Sequence, residues 1–111
     1  MNRVKEIEFR GSTLDDLRAF PQSARREAGH QLDLVQRGLD PDDWKPMSTI
    51  GSGVREIRIR DAGAFRVIDV AKFEEAVFVL HCFQKKSQKT SREDLALATS
   101  RYKDLMQELG K

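Results

Sequence analysis

A single cysteine, two histidines, one tryptophan and one tyrosine occur in 111 residues. Lone Cys82 excludes an intramolecular disulfide. Set between His81 and Phe83 in an apolar run, it reads as a reduced, buried thiol. His30 and His81 stand apart, so no His/Cys set has the spacing of a metal site. The chain has no Walker-type phosphate loop, no GxSxG elbow and no convincing acid pair on one element. The expectation is a protein that works without metal or cofactor. No apolar run approaches the ~20 residues that cross a bilayer. The opening MNRVKEIEFRG lacks an apolar signal core. The expected setting is therefore the cytoplasm, with no membrane partner.

What the chain does have is charge. Charged residues make up 34% and apolar residues 39%, a balance that suits one small domain over residues 1–111 with a heavily charged surface. The net charge of +2 is unevenly spread. Residues 1–47 sum to −1 and residues 48–111 to +3. Lys85, Lys86, Lys89 and Arg92 fall within Gln84–Arg92 with no acid between them. The basic character is a local patch that can attract phosphates without making the whole molecule a polycation.

Alternating Ile7 and Phe9 predict a short strand in Val4–Phe9. Gly11 and Ser12 break it. Ser12 then caps a helix whose apolar face is Leu14, Leu17 and Phe20, and Pro21 ends that helix. Ala24, Ala28, Leu32 and Val35 predict a second helix over about 22–37, stopped by Gly38. The two helices should form a hairpin over one face of a sheet. Leu39–Gly53 reads as an ordered loop that tucks Trp44, Met47 and Ile50 onto the domain edge. Trp44 has a second reading as a base-stacking platform. Three strands follow in Val54–Arg60, Phe65–Val70 and Ala76–Phe83, with a turn at 61–64. In the first, Glu56, Arg58 and Arg60 share one face, and Arg55, Ile57 and Ile59 the other. In the second, Arg66, Ile68 and Val70 alternate with Phe65, Val67 and Asp69. The third is almost wholly apolar, as befits a strand covered on both faces. Thr90 or Ser91 caps a last helix over about 92–109, whose first turn carries Glu93 and Asp94 and which Gly110 ends. The order is strand, helix, helix, strand, strand, strand, helix. This is an α+β fold: a small antiparallel sheet with an N-terminal helical hairpin and a C-terminal helix.

The candidate chemistry rests on the cations: Arg55, Arg58, Arg60, Arg66, His81, Lys85, Lys86, Lys89 and Arg92. RNA can be cut without a metal, because its 2′-hydroxyl can attack the adjacent phosphate. Such an enzyme must help remove the 2′ proton, neutralise the phosphorane and supply a proton to the leaving 5′ oxygen. Arginine clamps phosphate oxygens in a bidentate fork, lysine acts as a mobile point charge, and clustered cations lower a neighbouring lysine's pKa. Each residue also has a structural reading. Arg58 can pair with an acid on a neighbouring strand, Arg60 and Arg92 can be solvated, and His81 can be a satisfied core histidine.

Several motifs carry a resemblance. GSGVREIRI (Gly51–Ile59), FRVI (Phe65–Ile68), VLHCFQKKSQKTS (Val79–Ser91) and ALATSRYKDL (Ala96–Leu105) resemble the HigB-like branch of the RelE/ParE toxin superfamily, which also includes phage-derived proteins. The resemblance implies a toxin of a type II toxin–antitoxin module that cuts mRNA in the ribosomal decoding site. It implies as partner a cognate antitoxin, a small helix-turn-helix DNA-binding protein. By position it implies Arg58, Arg66, Lys85 and Lys86 as catalytic cations. Arg55, Lys89, His81 and Arg92 would contact RNA, and Glu56 would orient an arginine. The related ParE toxins imply an alternative, an inhibitor of a protein target such as gyrase, and a non-catalytic RNA- or antitoxin-binding remnant is another. One position departs from the branch. Asp69 stands where members often carry Tyr, and an acid beside the cations would repel RNA phosphate.

Overall fold

A computed structural model of the chain describes residues 3–61 and 63–111. In chain order the elements are β1 (Ile7–Phe9), α1 (Thr13–Arg18), α2 (Gln22–Gln36), β2 (Trp44–Pro46), β3 (Val54–Arg60), β4 (Ala64–Val70), β5 (Val77–Gln84) and α3 (Arg92–Leu109). The five strands form one sheet in the order β1-β5-β4-β3-β2. The expected α+β architecture is present, with two differences. β1 pairs with β5 in parallel, so the sheet is mixed. The segment 39–53 is also more than a loop, because Trp44–Pro46 adds an edge strand antiparallel to β3. Pro46 ends that strand, an edge position where a missing backbone donor costs least. The turn expected at 61–64 includes Ala62, which lies outside the described residues. The strands it joins pair as far as Arg60 and Ala64.

Burial explains the strand order. Val77 through Phe83 are all buried, so β5 needs cover on both faces and takes an interior position between β1 and β4. On one face the helical hairpin packs its stripe of Ala24, Ala28, Leu32 and Val35, with Leu17 and Phe20, against Ile57, Ile59, Phe65, Val67, Val77 and Val79. Burying Leu32 or Val35 this fully stabilises the fold by about 1.5–3 kcal/mol each. On the other face α3 brings Ala98 and Leu105 against Val54, Ile68, Val70, Phe78 and Leu80, and Met47 and Ile50 join that core. The result is helices on both sides of a single sheet.

The helix ends are set locally. Ser91 accepts a hydrogen bond from the Asp94 amide at 3.1 Å, and Gly110 closes α3 in the left-handed region at φ 70°. Ser12 precedes α1 but does not cap it through its side chain. Its hydroxyl instead donates to Asp16 at 2.8 Å and accepts from Arg101 at 3.1 Å. Arg101 also donates to the Leu80 carbonyl at 3.0 Å. That carbonyl lies where the β4–β5 register shifts at Ile68/Asp69, so α3 is fastened to the irregular part of β5.

Candidate nucleic-acid interface

The alternation of β3 and β4 decides which cations meet. Arg58 lies directly opposite Arg66, and Arg66 opposite Phe83 on β5. Glu56 lies opposite Ile68, and Ile68 opposite His81. All of these side chains share the α3 face. The apolar body of α3 covers the Val54–Val70–Phe78 end of that face. The charged end is met by the loop that leaves β5, which returns through Thr90 to donate to Glu56 Oε2 at 2.9 Å.

Two arginines directly across a ladder repel, so the pair needs carboxylates nearby. Glu56, fully buried, places Oε1 3.5 Å from Arg66 Nε. Asp43 lies 3.7 Å from Arg58 Nη1 and 3.8 Å from Arg60 Nη2. Arg66 also donates to the Phe65 carbonyl at 3.0 Å. Its pKa is lowered, first by burial and then by Arg58 and Arg60, with Glu56 opposing. The cluster keeps an excess of positive charge over its two carboxylates, which is the balance an incoming phosphate would complete.

Lys85 joins the cluster by continuing the sheet one residue past β5. Its amide donates to the Ala64 carbonyl at 2.7 Å. Alternation from Phe83 puts its side chain on the face of Arg66. Burial lowers its pKa first, and the fields of Arg66, Lys45 and Arg58 lower it further against Glu56. Lys45 was not read from the sequence. It comes from the unexpected strand β2, opposite Glu56, with Nζ 3.8 Å from Glu56 Oε1. A three-residue strand has too little alternation to register as one. Its signal is the single cation that falls across from a buried acid.

The other candidates are placed apart. Arg55 belongs to the hairpin face and does not join Arg58 and Arg66. It lies 3.3 Å from Asp40 and 3.7 Å from Asp69, with its guanidinium 5.0 Å over the Trp44 ring. Asp69 is on that same opposite face, so the acid expected to repel RNA at the basic site is screened from it by the sheet. Buried with both oxygens lacking a hydrogen bond, Asp69 has its pKa pushed up to about 6 by desolvation, with Arg55 opposing. Trp44 pairs with Ile57 and therefore sits with Arg55, away from the basic cluster. His81 is buried, stacked on Phe83 at 4.7 Å and hydrogen-bonded through Nε2 to Asp94 Oδ1 at 2.6 Å. It links β5 to α3 and is not open to a ligand, the structural one of its two readings. Lys86, Lys89 and Arg92 are exposed on or next to the loop and form no ion pair with another described residue. Among the described residues no group of three or more His, Cys, Asp or Glu side chains could hold a metal ion.

The register gathers Arg58, Arg66, Lys85 and Lys45 at one end of the α3 face around Glu56, residue types that bind phosphate, and the pKa of Lys85 among them is lowered. Compared with known families, residues 15–103 match the model described as phage derived protein Gp49-like (DUF891). No curated protein matches the chain.

Proposed function

The chain belongs to the Gp49-like family of phage-derived proteins, and on that footing we propose that it is the toxin of a type II toxin–antitoxin pair, an endoribonuclease that works without a metal. One observation carries the chemistry: Lys85, its pKa lowered, stands in the field of the cross-strand Arg58–Arg66 pair at the charged end of the sheet. The ribose 2′-hydroxyl attacks the adjacent phosphorus and its proton passes to the neutral Lys85 amine. Arg58 and Arg66 meet the phosphorane charge. The departing O5′ takes a proton from solvent water, with the exposed Lys86 ammonium on the adjoining loop as the candidate side-chain donor that the resemblance implies. The products are a 2′,3′-cyclic phosphate and a 5′-hydroxyl end. Glu56 holds the Arg66 guanidinium and, through Thr90, the loop that carries Lys85.

The resemblance to the HigB-like branch of the RelE/ParE superfamily supports mRNA on the ribosome as substrate and a helix-turn-helix antitoxin as partner. Induction of the chain in cells, followed by mapping of RNA ends, tests this reading. The expected result is prompt, ribosome-phased cleavage with cyclic-phosphate ends, abolished in the double variant Lys85→Ala, Lys86→Ala. Growth arrest with intact mRNA would overturn the nuclease. If supercoiling were then inhibited, the target would be gyrase.

A further inference from the structure

Beyond the Arg58–Arg66–Lys85 cluster, two surface cavities run into one another. The first, of about 390 Å³, lies between Lys45–Thr49 and the Gln88–Thr90 end of the lysine loop. The second, of about 650 Å³, lies between Thr49–Ile50 and the outer side of α3, along Leu95, Ser100 and Lys103. Thr49 and Leu95 line both, so the pair form one groove. Its head is at the phosphate site, because Lys45 reaches Glu56 at 3.8 Å and Thr90 hydrogen-bonds the same carboxylate.

We propose that this groove is the track of the single-stranded RNA that flanks the scissile phosphate, an inference that rests on the endoribonuclease reading. Charge complementarity carries it. Lys45 and Lys89 stand at the head and Lys103 at the far end, against one acid in the lining, Asp104. The floor between them is apolar where bases would lie, with Pro46, Met47 and Leu95. The exposed Ser48, Thr49 and Ser100 hydroxyls are placed for ribose and phosphate oxygens. From Leu95 to Lys103, α3 rises about 12 Å, room for about three nucleotides at ~3.4 Å each. The occupant is a flexible chain of anions with flat apolar bases. The groove has no aromatic platform, so it would select for a single strand by width and charge rather than by base identity.

The test uses the full chain and RNA oligonucleotides from two to eight nucleotides long, 2′-O-methylated so that they cannot be cut. Binding is followed by fluorescence anisotropy at several salt concentrations. Affinity should climb with length until the groove is filled, so that the two longest oligonucleotides bind alike. Ser100→Trp, which sets an indole into the groove from an exposed helix position, should cancel the gain with length. Lys103→Ala should flatten the salt slope of the hexanucleotide by about 0.7 relative to that of the dinucleotide. Lys85→Ala should weaken binding at every length. Affinity that ignores length while Lys85→Ala still weakens it would overturn the groove and leave the phosphate site standing. A gain with length that survives both Ser100→Trp and Lys103→Ala would also overturn it. Absence of binding, or indifference to Lys85→Ala, would remove the RNA reading and the groove with it.

Discussion

Lys85 and Arg58 carry the same charge, but a lysine gives up its proton more readily than an arginine, and burial lowers the Lys85 pKa further. Lys85→Arg therefore separates charge from proton transfer. The variant should bind uncleavable RNA about as well as the parent, while cleavage falls about 100-fold or more, the usual contribution of a positioned base. The parent's cleavage rate should rise with pH as Lys85 becomes neutral. Since burial and Arg66 lower its pKa, that rise should come at lower pH than for a free lysine side chain. A rate unchanged in Lys85→Arg would remove Lys85 as the base. Asp69 presents the opposite case, a buried acid whose pKa is raised from 3.8 to about 6. The folded state holds this proton more tightly than the unfolded chain. The stability it contributes is thus complete below 3.8 and lost as pH rises through about 6. Urea unfolding at stepped pH should show this decline in the parent, and Asp69→Asn should flatten it. A slope unaltered by Asp69→Asn would mean that Arg55 holds the carboxylate ionised throughout.

At the scale of elements, α3 is held at its first turn and by close backbone approach. Ser91→Ala removes the cap and should cost about 1 kcal/mol in thermal or denaturant unfolding. It also frees Asp94, whose other oxygen accepts from His81, so the loss should exceed that of Thr99→Ala at an ordinary helix position. Gly51 is a second anchor. A Cβ there would stand 2.3 Å from Tyr102 Cε2, so Gly51→Ala must push the ring off the core, at about 1–3 kcal/mol. These elements also show what could be read in advance. β3, β4, α2 and α3 were legible because each is long enough for its period to repeat, and the same alternation already put Asp69 on the face away from Arg66. β2 was not legible, because three residues ending in Pro46 carry no period, and Lys45 was lost with it. The parallel pairing of β1 with β5 was equally hidden, since Ile7–Phe9 says which face is apolar but not which neighbour runs beside it. Arg55 was misplaced for a different reason. Charge alone grouped it with Arg58, although the two stand three positions apart along the strand and so on opposite faces.

Across the whole molecule the net charge of +2 is too small to bind nucleic acid by bulk attraction, so affinity has to come from where the cations stand. The hairpin face carries exposed Arg18, Arg25 and Arg26, as many cations as many nucleic-acid surfaces use, but these helices pack on the face of the sheet opposite α3. Arg58, Arg66, Lys85 and Lys45 are offset in part by Glu56 and Asp43. With roughly three phosphates neutralised, the logarithm of the RNA affinity should fall with the logarithm of salt at a slope of about −2. Arg26→Ala, on the opposite side of the sheet, should leave that slope unchanged, whereas Lys45→Ala should bring it toward zero by about 0.7. Equal effects from both variants would mean that RNA reads the surface as a diffuse field. A response confined to Lys45 would mean that the sheet's own register, by bringing β2 against Glu56, makes a nearly neutral protein locally basic.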